Sequence, residues 1–144
     1  MRIFLDANIL VALLNKEYPV FSYAARIVSL ADNERIKIYT SPICLAIAFY
    51  FAEKKVGSKN ALQKIHILSS KIEIANTGSD EVQQAISNKK ILDFEDGLEY
   101  YAALNKKCNY IITEDLADYY FSEIKVFSAK AFFDEVMSVK KLNR

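Results

Sequence analysis

A chain of 144 residues, with 19 Lys and Arg against 18 Asp and Glu, 52% hydrophobic residues, three Gly and two Pro, is one domain long and apolar enough to build a core without disulfides or a structural metal. That balance excludes a disordered chain, and the lack of a Gly period excludes a collagen-like one. A net charge of +1 favours no class of partner by itself.

Residues 2–5 suit a central strand, since Ile3, Phe4 and Leu5 run unbroken by polar side chains. Asp6 and Asn8 then interrupt the apolar run, and no small-residue cleavage site follows. The N-terminus is therefore read as neither a signal peptide nor a membrane span. Phe21, Ala24, Ala25, Val28 and Ala31 recur at helical spacing, and residues 36–40 make a second strand. Leu62, Ile65 and Leu68 mark another helix. Residues 71–75 form a short, half-polar strand suited to a sheet edge, where one face meets water. Further strands are expected at 109–113 and 125–127. Strands alternating with helices of this length predict a three-layer α/β/α sandwich around a parallel sheet, because parallel neighbours need crossover connections. Composition does not shift along the chain, so residues 1–144 are taken as a single domain.

Ligands of such sheets gather beyond the carboxyl ends of the strands, and acids stand there. Asp6 directly follows the first strand, and Asp115 lies two residues after Thr113 at the end of the fourth. Asp93 and Asp96, three apart, open the helix before that strand and share one side of its first turn. Each taken singly is explained by helix capping. Taken jointly, if the first and fourth strands are neighbours, Asp6, Asp96 and Asp115 converge, and carboxylates so close repel unless a proton or cation separates them. Oxygen ligands suit Mg²⁺ or Mn²⁺. Cys44 and Cys108 form no CxxC motif, and the one His, His66, is far from both. No zinc site is expected, and the thiols are read as reduced, in a cytoplasmic protein.

These residues resemble a known family. Asp6-Ala7-Asn8-Ile9-Leu10 is similar to the D-x-N-[IV]-L opening of the PIN-domain ribonucleases. Asp93-Phe94-Glu95-Asp96-Gly97-Leu98 resembles the D-F-E-D-A-L form of their central acidic motif, and Thr113-Glu114-Asp115 resembles their T-x-[DN] motif. The similarity runs over nearly the whole chain and is nearest to the toxin-like, VapC-type bacterial branch. It implies a five-stranded parallel sheet of order 3-2-1-4-5 and Asp6, Asp96 and Asp115 as catalytic, metal-binding acids. Asp93 is implied as a neighbouring helper, with Asn8 and Thr113 shaping the site by hydrogen bonding. Many members carry a further acid, usually Glu, on the helix after the second strand; that position falls at about Ile47, which cannot bind a metal. One cation rather than two is therefore expected.

The activity implied is Mg²⁺- or Mn²⁺-dependent hydrolysis of RNA by a toxin paired with a small antitoxin. Setting aside Asp6, Asp93, Asp96 and Asp115 leaves 19 bases facing 14 acids, so a polyanion can approach. Lys54, Lys55, Lys89 and Lys90 are candidate RNA-phosphate contacts near the carboxyl end of the sheet; a solvated lysine face is the equal alternative. Phe49, Tyr50, Phe51, Tyr100 and Tyr101 offer rings for base stacking, although core packing is the commoner use. Clustered aromatics, including Tyr119, Tyr120, Phe121, Phe132 and Phe133, exceed what a small core hides. They predict a homodimer or an antitoxin-bound state. The competing reading is a catalytically weakened PIN-like module that binds RNA or a protein. A receiver-like or phosphatase-like domain fits worse, because Asn8 stands where the phosphatase pattern needs a second Asp.

Overall fold

Five short parallel strands form a sheet of order β3-β2-β1-β4-β5 in the computed structural model, which describes residues 1–138. They are β1 (Arg2–Leu5), β2 (Lys37–Thr40), β3 (Glu73–Ile74), β4 (Tyr110–Ile112) and β5 (Lys125–Phe127). β1 is central, and Ile3, Phe4 and Leu5 are fully buried, as an apolar run covered on both faces requires. β3 lies at an edge and is shorter than expected, because Lys71 and Ile72 close the preceding helix by donating to the Leu68 carbonyl. Only Glu73 and Ile74 keep strand geometry, paired with Tyr39 and Thr40.

The helices are α1 (Ala7–Leu14), α2 (Val20–Ser29), α3 (Pro42–Val56), α4 (Ser58–Ser69), α5 (Ser79–Ser87), α6 (Phe94–Asn105) and α7 (Ala129–Phe132). α1 packs against α2 and α3, α3 packs against α4, α7 joins α2, and α5 pairs with α6. The chain winds outward from β1 through β2 to β3, then returns through α5 and α6 to β4 on the other side of β1. Right-handed crossovers put helices wound in opposite directions on opposite faces, which gives three layers with a switch point between β1 and β4.

The register decides what meets at that point. Leu5 is opposite Ile112, so the Asp6 N–H donates to the Ile112 carbonyl at 3.0 Å and Thr113 follows alongside. On the other side, buried Thr40 donates its hydroxyl to the Leu5 carbonyl at 2.9 Å, and Ser41 caps α3 by accepting from the Cys44 N–H. Pro42 at the first position of α3 has no N–H to leave unpaired. The carboxyl edge of the three inner strands therefore presents Ser41, Asp6 and Thr113 side by side.

Candidate metal centre

Asp6 forms the floor of the centre, only 7% exposed. Its Oδ1 accepts from the Ala7 N–H at 2.8 Å, so the capping reading is correct for this residue. Its Oδ2 has other business: Thr113 Oγ1 donates to it at 2.9 Å. Asn8 Nδ2 contacts Asp6 Oδ2 at 3.4 Å, Thr113 Oγ1 at 2.9 Å and Asp115 Oδ2 at 3.2 Å. Asn8 Oδ1 in turn accepts from the Glu114 N–H at 2.9 Å. One side-chain amide thus ties the loop after β4 to the start of α1 and holds Asp115 beside Asp6. Asp115 begins a single 3-10 turn (Leu116–Tyr119) but makes no side-chain cap. Among the described residues its carboxylate accepts from Asn8 alone.

Asp93 caps α6 by accepting from the Asp96 N–H at 3.1 Å, which directs Asp96 into the same space. A cleft of about 470 Å³ is lined by Asp6, Asn8, Asp93, Asp96 and Asp115, joined by Glu17, Glu95 and Asp118, with Val11, Ile47 and Phe51 as its apolar wall. Among the described residues no Lys or Arg lines it. Among the described residues none of these acids has an ion-pair partner. The electrostatics follow. Burial, then the charges of Asp93, Asp118, Asp6 and Glu95, pushes the Asp96 carboxyl up to about 7. Burial also raises Asp6, against the lowering effect of its hydrogen bonds, and Asp115 adds to the rise. Glu95 is raised by burial and by Asp6 and Asp93. A concave surface of like charges without internal counterions fits a hard cation held by oxygen ligands.

Sequence reasoning missed Glu95, Asp118 and, most consequentially, Glu99. The last sits three residues beyond Asp96, one turn further along the same face of α6, and is fully buried. Ser41 Oγ contacts both its carboxylate oxygens, at 2.9 and 2.7 Å, and the Cys44 thiol donates to its Oε2. Burial is the main cause that takes the Glu99 carboxyl up to about 7. Cys44 Sγ lies 3.8 Å from Asp6 Oδ1. Cys44 thus stands beside the acids, a neighbour that the sequence did not announce. Donor atoms of Asp6, Cys44 and Glu99 lie within 4.8 Å of one another. The available signal was an acid inside the buried stripe of α6. Ile47 does face the cleft, as the resemblance requires of that position, and brings no oxygen.

The lysines divide. Lys55 Nζ donates to the Asn15 carbonyl at 2.7 Å, at the end of α1 away from Asp6, and Lys64 donates to Leu14 there at 2.9 Å. Both complete the C-terminus of α1. Lys55 is thus engaged by the chain itself, at the end of α1. Lys54 Nζ lies 4.1 Å from the centre of the Tyr50 ring. Lys89 and Lys90 are exposed in the turn before α6, where the Tyr120 hydroxyl donates to the Lys90 carbonyl. Of the aromatics, Tyr100, Tyr119 and Phe132 are buried in the core, while Tyr50, Phe51 and Tyr120 are exposed. His66 is exposed on α4, away from the acids.

Comparison with known proteins agrees with this geometry. A ribonuclease named VapC1, from Aquifex aeolicus, is 25% identical over 135 residues, covering 91% of this chain and 92% of its own. The crystal structure of VapBC2 from Rickettsia felis, bound to a DNA fragment from its promoter, superposes with a TM-score of 0.68 at 21% identity. That match covers 89% of this chain and 98% of the other. VapC20 of Mycobacterium tuberculosis, described as a sarcin-ricin loop cleaving toxin, gives a TM-score of 0.62 at 19% identity, over 85% of this chain and 98% of its own. The PIN domain family model matches residues 2–117, and with the sheet order and the acidic cleft at the switch point, the chain belongs to the PIN domain family.

Proposed function

We propose that this protein is a Mg²⁺- or Mn²⁺-dependent endoribonuclease and the toxin of a toxin-antitoxin pair. The observation that carries the reading is the cleft that Asp6, Asp96 and Asp115 line together, with no basic residue beside them among the described residues. A divalent cation bound there supplies charge stabilisation at the scissile phosphate and orients the attacking water. The chain supplies the rest. Asp6, Asp96 and Asp115 hold the ion, and Asn8 and Thr113 fix the directions of Asp6 and Asp115 through the bonds described above. Asp93 positions the first turn of α6. Lys89 and Lys90, and Lys54 at the far end of α3, contact RNA phosphates. The ribonuclease VapC1 and the VapC20 toxin support the choice of RNA.

The VapBC assemblies among the structural relatives support a small antitoxin as partner. Tyr50, Phe51, Leu62 and Ile67, exposed on α3 and α4, give it an apolar surface. A second copy of the chain is proposed for Leu92, Phe94 and Tyr120, exposed about the turn before α6. Among the described residues no helix is long and apolar enough to cross a membrane.

Ile47 in the cleft wall favours a second reading, a PIN-like module that binds RNA without cutting it. RNA cleavage with Mg²⁺ or Mn²⁺, against chelator and against Asp6→Asn and Asp96→Asn, separates the two. Cleavage that needs both the ion and the acids supports the enzyme. Binding without turnover at saturating metal supports the module.

A further inference from the structure

Behind the cleft, on the inner side of Asp6, lie two groups that the proposed reaction leaves unused. We propose that Asp6, Cys44 and Glu99 form a second cation site, adjoining the first, that takes a thiophilic divalent ion such as Zn²⁺ or Co²⁺ in preference to Mg²⁺. The site shares Asp6 with the preceding reading but does not require that RNA be the substrate.

The donor atoms are Cys44 Sγ and one carboxylate oxygen from each acid, within 4.8 Å of one another. Ligands at about 2.0–2.3 Å from a tetrahedral ion stand roughly 3.3–3.7 Å apart, and Cys44 Sγ is already 3.8 Å from Asp6 Oδ1. Tyr119 provides the independent sign of a missing ligand. The residue is 3% exposed, and its buried hydroxyl, directed at Asp6, makes no hydrogen bond of ordinary geometry among the described residues. It faces the charges of Asp6, Cys44, Glu99 and Asp96. A buried hydroxyl so loosely paired is costly, and its oxygen lone pair is available to an ion while its O–H points at Asp6.

Selectivity follows from the chemistry of these donors. A thiolate is a soft ligand that suits zinc and cobalt and adds little for magnesium. Cys44 and Glu99 are fully buried, so an ion there must shed its water, which Mg²⁺ does reluctantly. The surroundings orient the ligands: Ser41 Oγ holds both Glu99 oxygens, and the Ala7 N–H fixes Asp6 Oδ1. The thiol proton now directed at Glu99 Oε2 stands in the place of the ion. On binding, the sulfur lone pair goes to the metal and that proton leaves to solvent. Asp6 Oδ2, held by Thr113, remains directed at the outer cleft.

The test is a Co²⁺ titration of the full chain in Mg²⁺ buffer, followed by sulfur-to-cobalt charge-transfer absorption in the near ultraviolet. The expected result is a band that saturates at one equivalent and is bleached by Zn²⁺. Cys44→Ser abolishes it, and Glu99→Gln weakens Co²⁺ binding by roughly tenfold or more. Cys108→Ser leaves it unchanged, because Cys108 precedes β4 at the opposite edge of the sheet. That variant retains Cys44 as its one thiol, so its band assigns the sulfur even if Cys44→Ser does not fold. No band in the wild type, a band lost in Cys108→Ser, or Co²⁺ affinity unaltered in folded Glu99→Gln each overturns the proposal. Mg²⁺-dependent RNA cleavage measured on the same preparation keeps the two questions apart: a cobalt band without cleavage refutes the nuclease reading alone.

Discussion

Replacing Glu99 by Gln should make the metal-free protein more stable, and only at neutral to alkaline pH. Glu99 is fully buried with two donors, Ser41 Oγ and the Cys44 thiol, and its carboxyl is raised from 4.5 to about 7, chiefly by burial. Below pH 4.5 the folded and unfolded chains both carry the proton, and the residue contributes nothing to pH dependence. As pH rises toward 7 the unfolded chain releases the proton and the folded chain keeps it, so stability falls. Above 7 both are ionised and the loss is complete. At about 1.4 kcal/mol for each pH unit separating the two states, the loss amounts to about 3 kcal/mol, most of it between pH 5 and pH 8. Gln keeps the shape and an acceptor oxygen but does not ionise. Urea unfolding in chelator should therefore show Glu99→Gln gaining about 3 kcal/mol on the wild type at pH 8 and under about 1 kcal/mol at pH 5. An equal difference at the two pH values would refute the assignment of Glu99 as a buried, destabilised carboxyl.

Other substitutions probe the supports of the site. Thr113→Val removes a hydroxyl that donates to Asp6 and accepts from Asn8 and the Asp115 N–H; it should cost about 2 kcal/mol in urea unfolding and weaken Mn²⁺ binding. Lys55→Met keeps the aliphatic stem but removes the ammonium from the Asn15 carbonyl; stability should drop by about 0.5–1 kcal/mol with the salt dependence of RNA binding unchanged. Lys89→Ala with Lys90→Ala should leave stability alone and flatten the slope of log affinity against log salt by roughly 0.7 per lysine.

The parts of this molecule readable from sequence are those where local pattern and tertiary role coincide. Ile3, Phe4 and Leu5 announce a strand covered on both faces, and β1 is central. The ends of β1 and β4 and the start of α6 carry Asp6, Asp115 and Asp96, and the register that brings them to one cleft follows from the strand order. β3 was overestimated, because the turn closing α4 claims Lys71 and Ile72 for its own hydrogen bonds. The bond from Lys55 to the end of α1 was not readable, because it depends on how the last turn of α3 lies against α1. The nearness of Cys44 to Asp6 could not be read, since it depends on how the first turn of α3 lies over the end of β1. Glu99 was hidden for a related reason. An acid on a helix is ordinarily assigned to the solvent face, and only its neighbours in α6, Leu98 and Tyr100, hinted that the face is buried.

The central claim, that Asp6, Asp96 and Asp115 together hold a divalent cation, is tested most directly by Mn²⁺ titration followed by electron paramagnetic resonance, without RNA. The wild type should bind Mn²⁺ competitively with Mg²⁺. Asp6→Asn, Asp96→Asn and Asp115→Asn should each weaken binding by roughly tenfold or more, while Asp32→Asn, at a 3-10 turn before β2, should leave it unchanged. Equal Mn²⁺ binding by all these proteins would contradict the account.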